Sequence, residues 1–497
     1  MNWNFSEVSK SFLKDHKGKL LVEGNFGLEK ESQRILPSGD LALTPHPPVF
    51  GDKTENPRIT TDFSESQIEM ITPTFRSIEE AYTELNAITV EVENGIGNEL
   101  LWPLSMPPKL PDENDIPIAR FSDSRNGRDM ETYRKGLALR YGKKMQMISG
   151  IHYNFSFSRG MVDHLYEQFG NEMDKRSFVD EIHFALARNF LRYRWLLIYL
   201  FGASPLYHSS YYPVIKNEIQ LIQNSCQCCV DFIENFNQYA TSLRVSRFGY
   251  SNAFKHKQDM YFNSLEEYSA KLRRMMATKN PEYSQLGTYK DGSQIQLNEN
   301  VLQKENEFYS SIRLKQNIIP GETQLDALEK RGVQYIEVRI LDLNPFEKIG
   351  LNIDEMYFLQ IFLLFCLFEE SSPLNKKENE VINLNHHLVA LYGRKEDLVL
   401  QKYDEGAVSL KSWGKEIFGR LKDLAELIYK STGDDRYLII VEKEYQNLFD
   451  TSLLPSEIIH REMKSRNEDF LEFGTRYAIT NSHKNSIRKF DHVDEKL

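Results

Sequence analysis

Three widely separated stretches of the chain alternate apolar and polar residues with a period of two, which restricts the kind of sheet it can build. In "GIHYNFSFS", Ile151, Tyr153, Phe155 and Phe157 fall on one face, with His152, Asn154, Ser156 and Ser158 on the other. "YIEVRIL" sets Ile336, Val338 and Ile340 against Tyr335, Glu337 and Arg339. "FGLEKES" turns Gly27, Glu29 and Glu31 away from Phe26 and Leu28. Strands with one apolar and one wet face belong to an antiparallel sheet half buried on a core. After the first of them, "LPSGD" (residues 36–40) carries the turn residues that start a hairpin into "LALT".

Polar residues on a wet face need no special cause, but the choice of residues here does. Acidic side chains are depleted in strands, and like charges two apart on one face repel. Yet these faces carry Glu29, Glu31, His152 and Glu337. The pattern alone leaves two readings, a metal-binding or catalytic face and a chance run of acids. A fourth segment, residues 59–72, adds Asp62, Glu65 and Glu69 among mostly uncharged neighbours. Asp62 and Glu69 are seven apart, so they share a face only if the chain bends, bulges or takes a helical turn near "FSES".

If Glu29, Glu31, Asp62, Glu69, His152 and Glu337 line one cavity, they raise each other's pKa and destabilise the fold unless cations intervene. Hard carboxylate oxygens and a single imidazole suit Mg²⁺ or Mn²⁺, and this many acids imply two or three ions. Such clusters commonly meet a polyphosphate. No GxxxxGK[ST] loop and no GxGxxG after a strand occurs, so bound ATP would have to be held by metals and arginines on the sheet.

A formal charge of −11 argues against a dedicated nucleic-acid binder and a basic membrane-surface mode. The opening "MNWNFSEVSKSFLKDHKGKL" has no apolar signal-peptide core, and the apolar run at residues 357–368 is too short to span a bilayer. A cytoplasmic protein is expected. Cys226 and Cys229 have C-x-x-C spacing, but no second pair completes a zinc site, and reduced thiols on a helix are the reading. A capping box at residues 77–80 starts a helix with Ile78, Tyr82, Leu85, Thr89, Val92 and Ile96 on one stripe. One long helix is expected over about 177–201, capped by Gly202, and another over about 354–370. No linker or repeat divides the sequence. The expectation is a single catalytic domain, 1–497, with a mostly helical part, 375–497, packed on it.

Beyond these patterns, nine ordered motifs resemble the bacterial-type glutamate–cysteine ligase (γ-glutamylcysteine synthetase) family. They are "GLEKES", "ITTDFSESQIEMITP", "LWPLSMP", "YRKGLALRYG", "MQMISGIHYNFS", "YLFGASP", "YATSLRVSRFGY", "NVLQKENEFYSSIR" and "YIEVRILDLNPF". The resemblance is strong over about residues 20–350 and thins beyond about 375. It implies an α+β, glutamine-synthetase-like fold, a curved antiparallel sheet forming a funnel and surrounded by helices. It also implies ATP-dependent joining of the L-glutamate γ-carboxylate to the amine of L-cysteine through γ-glutamyl phosphate, the first step of glutathione synthesis.

Carried over by position, the resemblance makes Glu29, Glu31, Asp62, Glu69, His152 and Glu337 the Mg²⁺ ligands. Arg339 becomes the cation that meets the transferring phosphoryl group or the bound glutamate. Phe63, Tyr133, Leu137, Arg244, Tyr250 and Tyr309 become the cysteine pocket. The alternatives are a ligase of the same fold with another amine acceptor and a metal-binding protein without turnover. The partners expected are small molecules only, acting on a monomer, with no nucleic acid and no membrane. Residues 109–127, polar and aperiodic, are the expected cover of the funnel mouth.

Overall fold

The alternating segments pair with one another in the computed structural model, which describes residues 3–14, 17–225, 235–250 and 260–491. Gly24–Ile35 (β1) is the spine of the main sheet. Ile59–Thr61 (β2) and Gln67–Ile71 (β3) form a hairpin that pairs with β1 through β3. Leu100–Leu101 (β4) joins the far end of β1. On its other side β1 pairs with Ile151–Phe157 (β5). A small hairpin, Tyr289–Lys290 (β6) with Ser293–Gln294 (β7), stands apart from this sheet. Ile312–Lys315 (β8) and Tyr335–Leu341 (β9) complete it, in the order β2-β3-β1-β5-β9-β8, with every pairing antiparallel. The sheet is open, with β2 and β8 at its edges.

Register follows from burial. Phe26, Leu28, Ile68, Met70, Tyr153, Phe155, Ile312, Leu314, Ile336 and Val338 are buried together under the sheet. Helices Ile78–Gly95, Lys175–Tyr193 and Ile353–Phe368 pack into the same core. Each such side chain contributes about 1.5–3 kcal/mol on burial. A one-residue slip would turn Glu29 and His152 into that core, so the apolar face locks the polar one. Between the pairs Tyr153–Val338 and Ile151–Leu341, β9 carries one residue more than β5. This bulge sets Arg339 and Ile340 opposite His152.

The turn at residues 36–40 forms as expected: the Leu36 N–H donates to the Asp40 carbonyl, and Gly39 takes φ +84°. Ser77 Oγ caps its helix by accepting from the Glu80 N–H at 3.1 Å. The expected helix over 177–201 is instead two, Lys175–Tyr193 and Trp195–Phe201, broken at Arg194. There the guanidinium reaches Ser311 Oγ at 2.5 Å and Asn383 Oδ1 at 2.8 Å. Gly202 ends the second helix at φ −60°, and its lack of a side chain serves packing, since a Cβ would lie 2.8 Å from Thr241.

The chain beyond 375 is mostly helical: Lys376–Tyr392, Leu410–Thr432, Arg436–Phe449, Pro455–Arg466 and Phe470–Asp491, with the hairpin Val399–Lys402 (β10) and Gly406–Ser409 (β11). These helices lie against the earlier chain. Thr241 and Ser242 N–H groups donate to the Ala390 carbonyl, Tyr199 Oη donates to the Leu448 carbonyl, and Gly474 abuts the Trp102 ring. No helix among the described residues is long and apolar enough to cross a membrane. Cys226, Cys228 and Cys229 lie outside the described residues.

Candidate active site

The polar face of the sheet floors a chamber of about 400 Å³. Strand parity brings Glu29 and Glu31 of β1, Glu69 of β3, His152 of β5 and Glu337 and Arg339 of β9 to it. Asp62 joins them because the break near "FSES" is a hairpin turn: the Asp62 N–H donates to the Gln67 carbonyl, and Thr60 pairs with Glu69. Glu65, inside that turn, points elsewhere and is taken up by Lys53 and the His46 and Arg120 N–H groups.

His152 stands among three carboxylates. Its Nδ1 is 2.9 Å from Glu29 Oε2 and 3.5 Å from Glu337 Oε1, and its Nε2 is 3.7 Å from Glu31 Oε1. Asn154 Nδ2 donates to Glu29 Oε1 at 2.9 Å. Lys315 is 3.2 Å from Glu337, and Arg339 Nη1 pairs with the same carboxylate. Burial pushes Glu337 up, but Lys315, Arg339 and Arg313 outweigh it and hold the carboxyl well below its ordinary value. Glu29 is likewise lowered, burial being offset chiefly by the hydrogen bond with His152. Burial, followed by the charge of Arg339, lowers His152, which favours the neutral imidazole that serves as a metal ligand.

For Glu31 and Glu69 burial and like charge win instead. Burial pushes Glu31 up to about 8, with the charge of Asp62 adding to the rise, although Gly150 donates its N–H to Glu31 Oε2 at 3.0 Å. Glu69 is raised well above the usual range by burial and then by Asp62, Glu29 and Glu31. A divalent cation relieves this repulsion. The donor set also fits one: ligand atoms of Glu29, His152 and Glu337 lie within 4.8 Å of one another.

The walls come from three further segments. Helix Arg125–Tyr141 presents Met130, Tyr133, Arg134, Leu137 and Tyr141 to the chamber, a helical spacing that keeps them on one face. The segment around 244–250 supplies Arg244 and Tyr250, and that around 304–309 supplies Lys304, Asn306, Glu307 and Tyr309. The Tyr250 and Tyr309 rings stack with centroids 5.5 Å apart and planes 19° from parallel. Every site residue named from the sequence therefore lines the chamber except Phe63. Phe63 is buried in the apolar cluster behind the wall, where Leu137 packs.

Residues 109–127 do not line the chamber. They are fastened behind it: Ser64 Oγ and the Glu65 N–H donate to the Pro117 carbonyl, and Lys143 Nζ donates to the carbonyls of Asn114 and Ile116. Sequence reasoning missed Arg134, Lys304, Arg313 and Lys315. Arg313 and Lys315 carried the same period-two signal, alternating with Ile312 and Leu314 on β8. Arg313 sits opposite Glu337 and donates to the carbonyls of Asn306 and Phe308, tying wall to floor.

Acids, arginines and an aromatic pocket thus converge on the polar face of an open antiparallel sheet. The glutamate–cysteine ligase family model matches residues 10–389, and the chain belongs to that family. It is 58% identical over 479 residues to the glutamate–cysteine ligase of Clostridium acetobutylicum, covering 96% of this chain and all of that one. The solved glutamate–cysteine ligase of Francisella tularensis, in complex with AMP, superposes with a TM-score of 0.82 at 32% identity, over 93% of this chain and 89% of that one. A bifunctional glutathione synthetase from Pasteurella multocida gives 0.74 at 28% identity, over 95% of this chain and 54% of that longer one.

Proposed function

We propose that the chamber joins the γ-carboxylate of L-glutamate to the amine of L-cysteine, with ATP as co-substrate, giving γ-glutamylcysteine, ADP and phosphate. The observation that best supports this is convergence: six metal-type ligands, Arg339 and the Arg244–Tyr250–Tyr309 pocket share one cavity. Glu29, Glu31, Asp62, Glu69, His152 and Glu337 would hold two or three Mg²⁺ ions. Bound there, the ions supply charge neutralisation on the phosphate oxygens.

Bringing a carboxylate to the γ-phosphate sets two anions together, and Arg339 lies where its guanidinium lowers that barrier. Arg313, Lys315 and Lys304 line the same chamber and would add positive charge for the polyphosphate. A glutamate oxygen attacks the γ-phosphorus, and ADP leaves. The cysteine nitrogen then attacks the acyl carbon, phosphate departs with the bonding electrons, and the amine gives up a proton. Arg244 orients the acceptor through its carboxylate, a task suited to guanidinium. Leu137 and the rings of Tyr133, Tyr250 and Tyr309 enclose the thiol, with Phe63 supporting that wall from behind. Holding the amine at the acyl phosphate makes its attack effectively unimolecular.

In this reading the helices after residue 375 belong to the same catalytic unit, and the enzyme works as a cytoplasmic monomer on small molecules. The test is ADP release with Mg²⁺, L-glutamate and a panel of amines. Turnover that requires glutamate and ignores cysteine sinks the proposal. Glu29→Gln is expected to lower turnover by at least ~100-fold without shifting the melting temperature.

A further inference from the structure

Arg244 lines the chamber although only 1% of it is exposed, so something beneath must hold it there. Its guanidinium lies against Gly150, where an added Cβ would come within 2.0–2.3 Å of Nη2, Cζ and Nε. Nη2 donates to the Arg339 carbonyl at 2.9 Å. Nη1 is 3.9 Å from Asp342 Oδ1, and neither Nε nor Nη1 makes a hydrogen bond.

Asp342, just past the end of β9, is 3% exposed and does not line the chamber. Its Oδ2 accepts from the Ala203 N–H at 2.9 Å and Ser204 Oγ at 2.7 Å, and its Oδ1 accepts from Ser242 Oγ at 3.0 Å. Three chain segments thus meet on one carboxylate: the β9 end, the turn at 202–204, and the segment that carries Arg244. A buried carboxylate with three donors and a cation beside it is held rigidly, and so is the cation.

We infer that Asp342 is a positioning residue for the acceptor amine. It fixes the Arg244 guanidinium over Gly150, at the chamber wall, in the orientation from which it meets the acceptor's carboxylate. This rests on the reading of Arg244 as the ligand of that carboxylate. Asp342 never touches substrate, and its influence is confined to acceptors that carry a carboxylate.

Cysteamine has the amine and thiol of cysteine without the carboxylate, and comparing the two isolates this role. Asp342→Asn is expected to lower kcat/KM for cysteine by about tenfold while cysteamine turnover and the KM for ATP stay within about twofold. Ser242→Ala removes one donor from Asp342 but keeps its charge. It is expected to give the same selective loss at about two- to threefold, and it serves if Asp342→Asn does not fold. Arg244→Lys should erase the preference for cysteine, and adding Asp342→Asn to it should change nothing further. Equal slowing of both acceptors in the foldable variant would make Asp342 merely structural and overturn the inference. A preference that survives Arg244→Lys overturns the reading of Arg244 and the inference with it. Loss in Arg244→Lys alone, with Asp342→Asn indifferent, leaves Arg244 in its role and removes Asp342.

Discussion

Two halves of the same acidic floor handle their charge in opposite ways. On β5 and β9, Glu337 is surrounded by Lys315, Arg339 and Arg313, and Glu29 leans on His152. Across β1, on the side of the β2–β3 hairpin, Glu31 and Glu69 face each other and Asp62, and burial with like charge outweighs the nearby arginines. The first half is preformed by the protein's own cations. The second keeps a net repulsion that a cation would relieve. In the proposed reading, a bound cation would change the second side more than the first.

Removing the central cation of the compensated half carries the largest consequence. Arg339→Gln is expected to cut kcat by ~10³-fold, read by ADP release, because the transferring phosphoryl group loses its guanidinium. A loss below tenfold would give that role to Arg313 or Lys315. The metal-free protein separates the halves by sign. Glu337→Gln takes the shared carboxylate from half-buried Lys315 and Arg339 and should destabilise it by about 3 kcal/mol in chemical denaturation with chelator present. Glu69→Gln removes a repelled acid and should stabilise it by about 1 kcal/mol. The same sign for both would collapse the distinction.

The smallest effect is a proton count. Burial pushes Glu31 up to about 8, so if it is a ligand as proposed, Mg²⁺ binding at pH 7 is expected to displace a proton. Apparent Mg²⁺ affinity should rise as pH climbs to about 8 and then level off. Binding heats measured at pH 7 in two buffers of different ionisation enthalpy should differ, and identical heats would remove both Glu31 and Glu69 as proton sources.

The floor was legible in the sequence because a strand encodes its two faces locally. Glu29, Glu31, His152 and Glu337 followed from alternation alone, and Asp62 needed only a turn that "FSES" supplied. What stayed hidden depends on pairing between distant segments. β8 is only Ile312–Lys315, too short to announce itself, so Arg313 and Lys315 went unread beside Glu337. Arg134 follows Tyr133 directly, yet only the docking of its helix brings both to the chamber. Residues 109–127 looked like a cover because polar, aperiodic chain is common in loops. Their hydrogen bonds to the 62–66 turn make them a buttress. The break at Arg194 had no local cause either, since its partners Ser311 and Asn383 lie over a hundred residues away.

The order of the strands has a consequence in time. β1 is made early, but β9, which brings Glu337 and Arg339, ends about 300 residues later. At ~5–20 residues per second the ribosome needs on the order of 15–60 s to supply them. Within that interval β5, which covers the second side of β1, follows about 120 residues after it, so for on the order of 6–24 s one edge of β1 stays open with Glu29 and Glu31 on its polar face. Charged residues on an open edge discourage it from pairing with a neighbouring chain. The acids of the chamber floor thus also discourage the half-made sheet from joining the wrong partner while it waits.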